Sequence, residues 1–204
     1  MPSSPVELSN PSSVVVTVQA TTTEDTATKG VDYTHKDKLL TFQAGEASET
    51  FTASVKGDMF DEVTEKYFVD LSSPFNASLG DDQGKGTIED NDDEAKLSIN
   101  NVKKREGKSG RKKYTFKVTL NRESGKTVQV EWKAKEKSAK APSDYIFDKG
   151  NLTFKPGVTK KEVVVKVKGD KKDEGKETFN VKLSGPVKAT IDDGKGKGTI
   201  RNDD

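Results

Sequence analysis

The 204-residue chain contains no cysteine, which excludes disulfides, thiolate nucleophiles and zinc sites built on Cys. Histidine occurs once, at His35, so a Ser-His-Asp or Cys-His nucleophile has almost nothing to be built from. Apolar residues are scarce, at 30% against 34% charged, with a mean hydropathy of −0.82. So thin a supply suits narrow sandwiches whose strands alternate inward and outward, not one large core. The sequence has no run of about 18 apolar residues, so no membrane span is predicted. Nor does an apolar stretch follow Met1 and Pro2, so no signal peptide is predicted, and the chain reads as cytosolic or as a piece of a longer protein. A P-loop and a dinucleotide-type glycine fingerprint are also lacking: the glycines at 84–86 and 196–198 precede strand patterns, not helices.

What is present is a repeat. At an offset of 112 residues, Val55-Lys56-Gly57-Asp58 matches Val167-Lys168-Gly169-Asp170, and Gly84-Lys85-Gly86-Thr87-Ile88 matches Gly196-Lys197-Gly198-Thr199-Ile200. Asp32-Tyr33 falls on Asp144-Tyr145, Leu40-Thr41-Phe42 on Leu152-Thr153-Phe154, and Asp61, Glu62 and Glu65 on Asp173, Glu174 and Glu177. No gap is needed from Val6/Val118 to Asp92/Asp204. The copies differ in charge: residues 1–93 hold 6 Lys/Arg against 18 Asp/Glu, residues 94–204 hold 29 against 16, and the net +1 conceals this.

Both copies read as β. Val14, Val16 and Val18, like Val128, Val130 and Trp132, recur with period two. Further strands are predicted around 51–55 and 67–71, and around 163–167 and 179–183, with Gly, Pro, Asn and Asp clusters between them. The polar run 133–140 reads as a loop, with Trp132 ending its strand in the core. Tyr33 and Tyr145 are placed at the sandwich end, beside Asp32 and Asp144. Two domains are expected, 1–93 and 94–204, joined by a linker of a residue or two. Residues 94–112 have no counterpart in the first copy, which is therefore expected to lack its first strand, so that the chain begins inside a domain. The predicted fold is all-β: two tandem immunoglobulin-like antiparallel β-sandwiches.

These motifs resemble the Calx-β family: a Glu-Gly turn (Glu106-Gly107), a Ser-Asp-Tyr element (Ser143-Asp144-Tyr145), Leu-Thr-Phe-x-Pro-Gly (152–157), an Asp-Glu-Glu spacing (Asp170, Glu174, Glu177), and Gly-Thr-Ile-x-Asp/Asn-Asp (198–203). The first copy repeats all but the first motif, with Ala44 for Pro and Tyr67 for Phe. The resemblance implies an immunoglobulin-like sandwich of the kind found as calcium-sensing domains of sodium–calcium exchangers, in an integrin subunit and in bacterial surface arrays. It also implies calcium ligands gathered at one end of each sandwich. Carried over by position, these are Asp32, Asp58, Glu62, Glu65, Asp90, Asn91 and Asp92 in the first copy. In the second they are Glu106, Asp144, Asp170, Glu174, Glu177, Asn202, Asp203 and Asp204. Where the exchanger pattern has a further Asp, this chain has Gly57 and Gly169.

The chemistry agrees with that implication, because Ca2+ takes 6–8 hard oxygen ligands and loop carboxylates supply them. The competing reading is of solvated acidic turns, or, in the second copy, of carboxylates neutralised by Lys168, Lys171, Lys172, Lys176 and Arg201. Paired carboxylates also serve glycoside hydrolysis, but their recurrence in both copies favours a metal or structural role, and no enzyme is expected. The basic second copy is a candidate surface for polyanions; without interleaved aromatic residues, sequence-specific nucleic-acid binding is not expected. The leading expectation is a pair of calcium-binding modules in a larger secreted or cell-surface protein, acting as calcium-stiffened spacer or adhesion domains beside further repeats. One alternative is the cytoplasmic calcium sensor of an exchanger, disfavoured by the lack of a long insertion between the last strands of the second copy. The other is a pair of structural repeats without metal.

Overall fold

A computed structural model describes residues 3–203, with side chains of the first strand from residue 5; Asp204 lies outside the described residues. Among the described residues all regular structure is β. Contacts divide the chain into two units, 1–59 with 63–90 and 60–62 with 91–204.

The first unit contains β1 (Ser3–Glu7), β2 (Val16–Glu24), β3 (Tyr33–Thr34), β4 (Asp37–Phe42), β5 (Ser48–Thr52), β6 (Ser54–Val55), β7 (Glu65–Phe75) and β8 (Gln83–Ile88). The second contains β9 (Lys96–Ile99), β10 (Val102–Arg105), β11 (Arg111–Leu120), β12 (Val128–Glu136), β13 (Lys149–Phe154), β14 (Lys160–Lys168), β15 (Glu177–Val187), β16 (Thr190–Asp193) and β17 (Lys195–Arg201).

In the second unit a five-stranded sheet, β10-β17-β15-β12-β13, lies with a four-stranded sheet, β14-β11-β9-β16. The inward residues of both form one apolar cluster that includes Leu97, Phe116, Val130, Phe154, Val165 and Phe179. Alternation produces this directly, since successive side chains of a strand face opposite sides. In β12 the buried residues are Val128, Val130, Trp132 and Ala134, separated by exposed Gln129, Glu131, Lys133 and Lys135. That strand corrects one expectation: Lys133–Glu136 continue β12 instead of opening a loop. Ala134 is the only apolar residue among the four, and one small side chain does not register as a hydrophobic pattern. Pairing is antiparallel except for β10 with β17 and β16 with β9, which are parallel. Both exceptions involve β9 and β10, the two short opening strands, one of which joins each sheet.

The first unit repeats the plan residue for residue. Val16 pairs with Phe42 as Val128 does with Phe154, and Glu65 pairs with Ile88 as Glu177 does with Ile200. Both long hairpins carry a register shift at equivalent positions, Thr17/Gln19 and Gln129/Glu131. Ser4 of β1 pairs with Phe51 as Phe116 of β11 pairs with Val163. Ser3–Glu7 thus occupies the place of the second strand, although its sequence does not resemble that of β11. No strand equivalent to β9 or β10 occurs among the described residues of the first unit.

Candidate functional site

Three loops and one strand start converge at one end of the second sandwich. Asp144 is fixed by its backbone surroundings: its carboxylate accepts from the Lys140 N–H (2.6 Å) and its carbonyl from the Lys168 N–H (2.8 Å). The adjoining Tyr145 is fully buried and stacks on Phe179, with ring centroids 4.8 Å apart. The same device holds Asp32, whose carboxylate accepts from the Thr28 N–H (2.6 Å) and whose carbonyl accepts from the Lys56 N–H, beside Tyr33 stacked on Tyr67. The tyrosines therefore sit at the sandwich end next to their aspartates, as the sequence suggested.

Carboxylate oxygens of Asp144, Glu174 and Glu177 lie within 4.8 Å of one another, and so do those of Asp32, Glu62 and Glu65, the three equivalent positions of the first repeat. The second cluster is larger than its triad. Burial, followed by the charges of Asp170, Glu174, Asp203 and Asp144, pushes Glu106 up to about 7 from an ordinary 4.5. Burial, and then the hydrogen bond and charge of Asp144, likewise raise Glu177. Like charges gathered in a partly desolvated place keep protons unless a cation replaces them. Asp203 also accepts from the Gly107 N–H (2.8 Å), which ties the last strand to the Glu106-Gly107 turn.

The donor set fits a hard cation: all the side chains offer oxygen, neither Cys nor His takes part, and four carboxylates act on Glu106 at once. Of the lysines expected to neutralise this cluster, Lys172 pairs with Glu174 at 2.5 Å; the lysine side chain is mostly exposed and the glutamate half-buried. The pair leaves Glu106 and Glu177 raised.

Not every expected ligand joins the triads. Asp170 accepts from the Lys172 N–H at the loop surface. The Asn202 amide N–H donates to Asp173 (2.8 Å). Asp173, which matches Asp61 in the repeat, was not among the expected ligands. In the first repeat Asp58 and Asn91 are exposed, while Asp90 and Asp92 are half-buried; all four lie outside the triad of Asp32, Glu62 and Glu65. Asp204 is outside the described residues. His35, the single histidine, contacts the Thr22 hydroxyl and carbonyl through Nδ1 at 3.2 and 3.1 Å.

Gly169 stands where the exchanger pattern has an Asp, in a place that has no room for a side chain. A Cβ there would stand 1.9 Å from the Gly107 carbonyl oxygen, whereas at Gly57 nothing lies within 4 Å. The close passage of the Glu106-Gly107 turn, absent from the first repeat, leaves no room for any side chain at 169.

The Calx-beta domain family matches residues 5–100 and 90–199. Among curated proteins the chain is 38% identical over 81 residues to sodium/calcium exchanger 1 of Bos taurus, covering 38% of this chain and 8% of the exchanger. It is 41% identical over 61 residues to sodium/calcium exchanger 2 of Rattus norvegicus, covering 30% and 7%. The chain thus spans under a tenth of the length of the curated relatives it matches. Among solved structures, the apo form of the Calx CBD1 domain aligns with a TM-score of 0.51 at 21% identity, covering 55% of this chain and all of that one. Together with the duplicated register, the family match over nearly the whole chain carries the conclusion that this chain belongs to the Calx-beta family, as a tandem pair of β-sandwich domains.

Proposed function

We propose that the pair binds Ca2+ at the acidic end of its sandwiches and serves as a calcium-responsive regulatory module of a larger protein. The observation that carries this reading is the carboxylate cluster of Glu106, Asp144, Asp170, Glu174, Glu177 and Asp203, in which two glutamates are held above their ordinary range. A divalent cation relieves that repulsion and satisfies its own preference for oxygen. Recurrence of the triad at Asp32, Glu62 and Glu65 supports a second site. Asp90, Asp92, Asp58 and Asn202 are proposed as outer ligands or ligand supports.

The curated relatives are exchangers, which favours the regulatory reading, with a cytoplasmic setting, over the secreted spacer or adhesion reading. The short passage from β15 through β16 to β17 makes this a compact variant without a long insertion.

Binding to the native state alone stabilises by about 2.7 kcal/mol at a hundredfold excess over Kd. Thermal unfolding in EDTA and in millimolar Ca2+ tests the proposal. The melting temperature is expected to rise with Ca2+, and Glu174→Gln with Glu177→Gln should remove the rise from the transition reported by Trp132, the only tryptophan. Identical melting curves in EDTA and up to 10 mM Ca2+ (roughly the weak end of known calcium sites) would leave solvated acidic turns as the better account.

A further inference from the structure

On the outer face of the five-stranded sheet of the second unit, four lysines stand opposite one another across four adjacent strands. Lys149 of β13 pairs with Lys133 of β12, Lys133 with Lys182 of β15, and Lys182 with Lys195 of β17. Neighbouring strands lie about 4.8 Å apart, so the row is about 14 Å long. Two residues further along the strands, about 7 Å away on the same face, Lys135, Asn180 and Lys197 form a second row. All six lysines are exposed, and the alternation that buries Trp132 and Ala134 turns Lys133 and Lys135 outward.

Like charges directly opposite in a sheet repel and destabilise it, and an anion laid over the row removes that cost. The first unit provides the comparison. Its equivalent row is Asp37, Thr21, Asp70 and Gln83, in the same register. That row is satisfied from within: the Thr21 hydroxyl donates to Asp37 (2.8 Å), and the Thr23 hydroxyl and the Gln83 amide donate to Asp70 (2.6 and 2.7 Å). The lysines of the second unit have no such partners. Among the described residues none of the six ammonium groups forms an ion pair, and Lys133 lies over the ring of Phe147 at 5.4 Å. Protection of a sheet edge does not account for them, because β12, β15 and β17 are interior strands and only β13 is an edge. Solubility does not account for them either, since it is served by interspersed charges of both signs.

We propose that this lysine face docks on an anionic phospholipid membrane. Its charges spread in two dimensions, over two rows and four strands, as the headgroups of a bilayer do. The cations of both rows are lysines, hydrated point charges that respond to charge density, whereas recognition of one defined phosphate or carboxylate favours the arginine fork. Beside Lys133, Phe147 is 46% exposed, an apolar side chain placed to enter the headgroup boundary while the lysines hold the phosphates. A single-stranded nucleic acid would call for successive rings on which bases stack, and the rows contain none. Attraction of this kind rests on charge and is screened by salt.

The test sediments the full chain with vesicles of phosphatidylcholine, alone or mixed with phosphatidylserine, in EDTA so that the acidic site plays no part. Binding is expected only with phosphatidylserine and should weaken as salt is raised. Lys133→Gln with Lys182→Gln should weaken it about tenfold or more, whereas Lys113→Gln with Lys166→Gln, a cross-strand pair on the other sheet, should change it less than about twofold. Without lipid the first variant should melt no lower than the unaltered chain, because it removes cross-strand repulsion. Absence of binding to phosphatidylserine vesicles, equal binding to phosphatidylcholine alone, equal loss in the two variants, or a lower melting temperature of the first would overturn the proposal. A duplex oligonucleotide that binds through Lys133 and Lys182 where vesicles do not would also overturn it, by assigning the face to nucleic acid.

Discussion

At the scale of single residues, the acidic end of the second repeat is an arrangement that charge alone disfavours. Glu106 and Glu177 bind protons more tightly in the folded chain than at their ordinary value of 4.5, with Glu106 reaching about 7. Between those values the native state holds more protons than the unfolded state, so unfolding free energy falls as pH rises. Stability of the second repeat without Ca2+ is therefore expected to decline from about pH 5 to pH 8 and to level off above the folded value. Saturating Ca2+ should flatten the decline, because the ion replaces the protons. Urea unfolding followed by Trp132 fluorescence checks this; a stability that rises over that interval without Ca2+ would contradict the assigned cause. A second residue-scale expectation concerns Gly169. Its Cβ position collides with the backbone of Gly107, so Gly169→Ala should cost about 1–3 kcal/mol, the usual range for overpacking. Gly57→Ala, with open space around it, should cost distinctly less, as paired denaturation curves would show.

At the scale of elements, most of the fold was legible because period-two alternation and the 112-residue offset point to the same strands. Legibility failed where a strand carries little apolar signal. Lys133–Glu136 reads as a polar loop and is strand, since its one inward residue is Ala134. Ser3–Glu7 is polar and contains Pro5, yet it holds the register of β11 through pairing with β5. Tertiary pairing decides such segments, and local sequence does not record it. The site was legible to a similar degree. The triads follow from the repeat, but the amide of Asn202 turned toward Asp173 depends on loop geometry that spacing does not encode. The absence of a β9 counterpart among the described residues has an energetic consequence for this 204-residue chain. Burial of Leu97 and Ile99 contributes about 1.5–3 kcal/mol each in the second unit, and no such pair among the described residues covers the half-buried Leu71. Two unfolding transitions are expected in calorimetry, the lower one silent in Trp132 fluorescence. A lower transition that carries the Trp132 signal would reverse the assignment.

At the scale of the whole molecule, two sandwiches with one register carry opposite net charges, and the acidic triads recur in both. Recurrence of the same acidic triad in such different charge surroundings is what the proposed calcium binding predicts. The two triads are separable by mutation, because they share no residue. Isothermal titration of the full chain with Ca2+, alongside Glu62→Gln/Glu65→Gln and Glu174→Gln/Glu177→Gln variants, tests the account most directly. It predicts binding heat in the unaltered protein, a distinct part of which disappears in each double variant; no heat in the unaltered protein, or the same heat in all three, would contradict it.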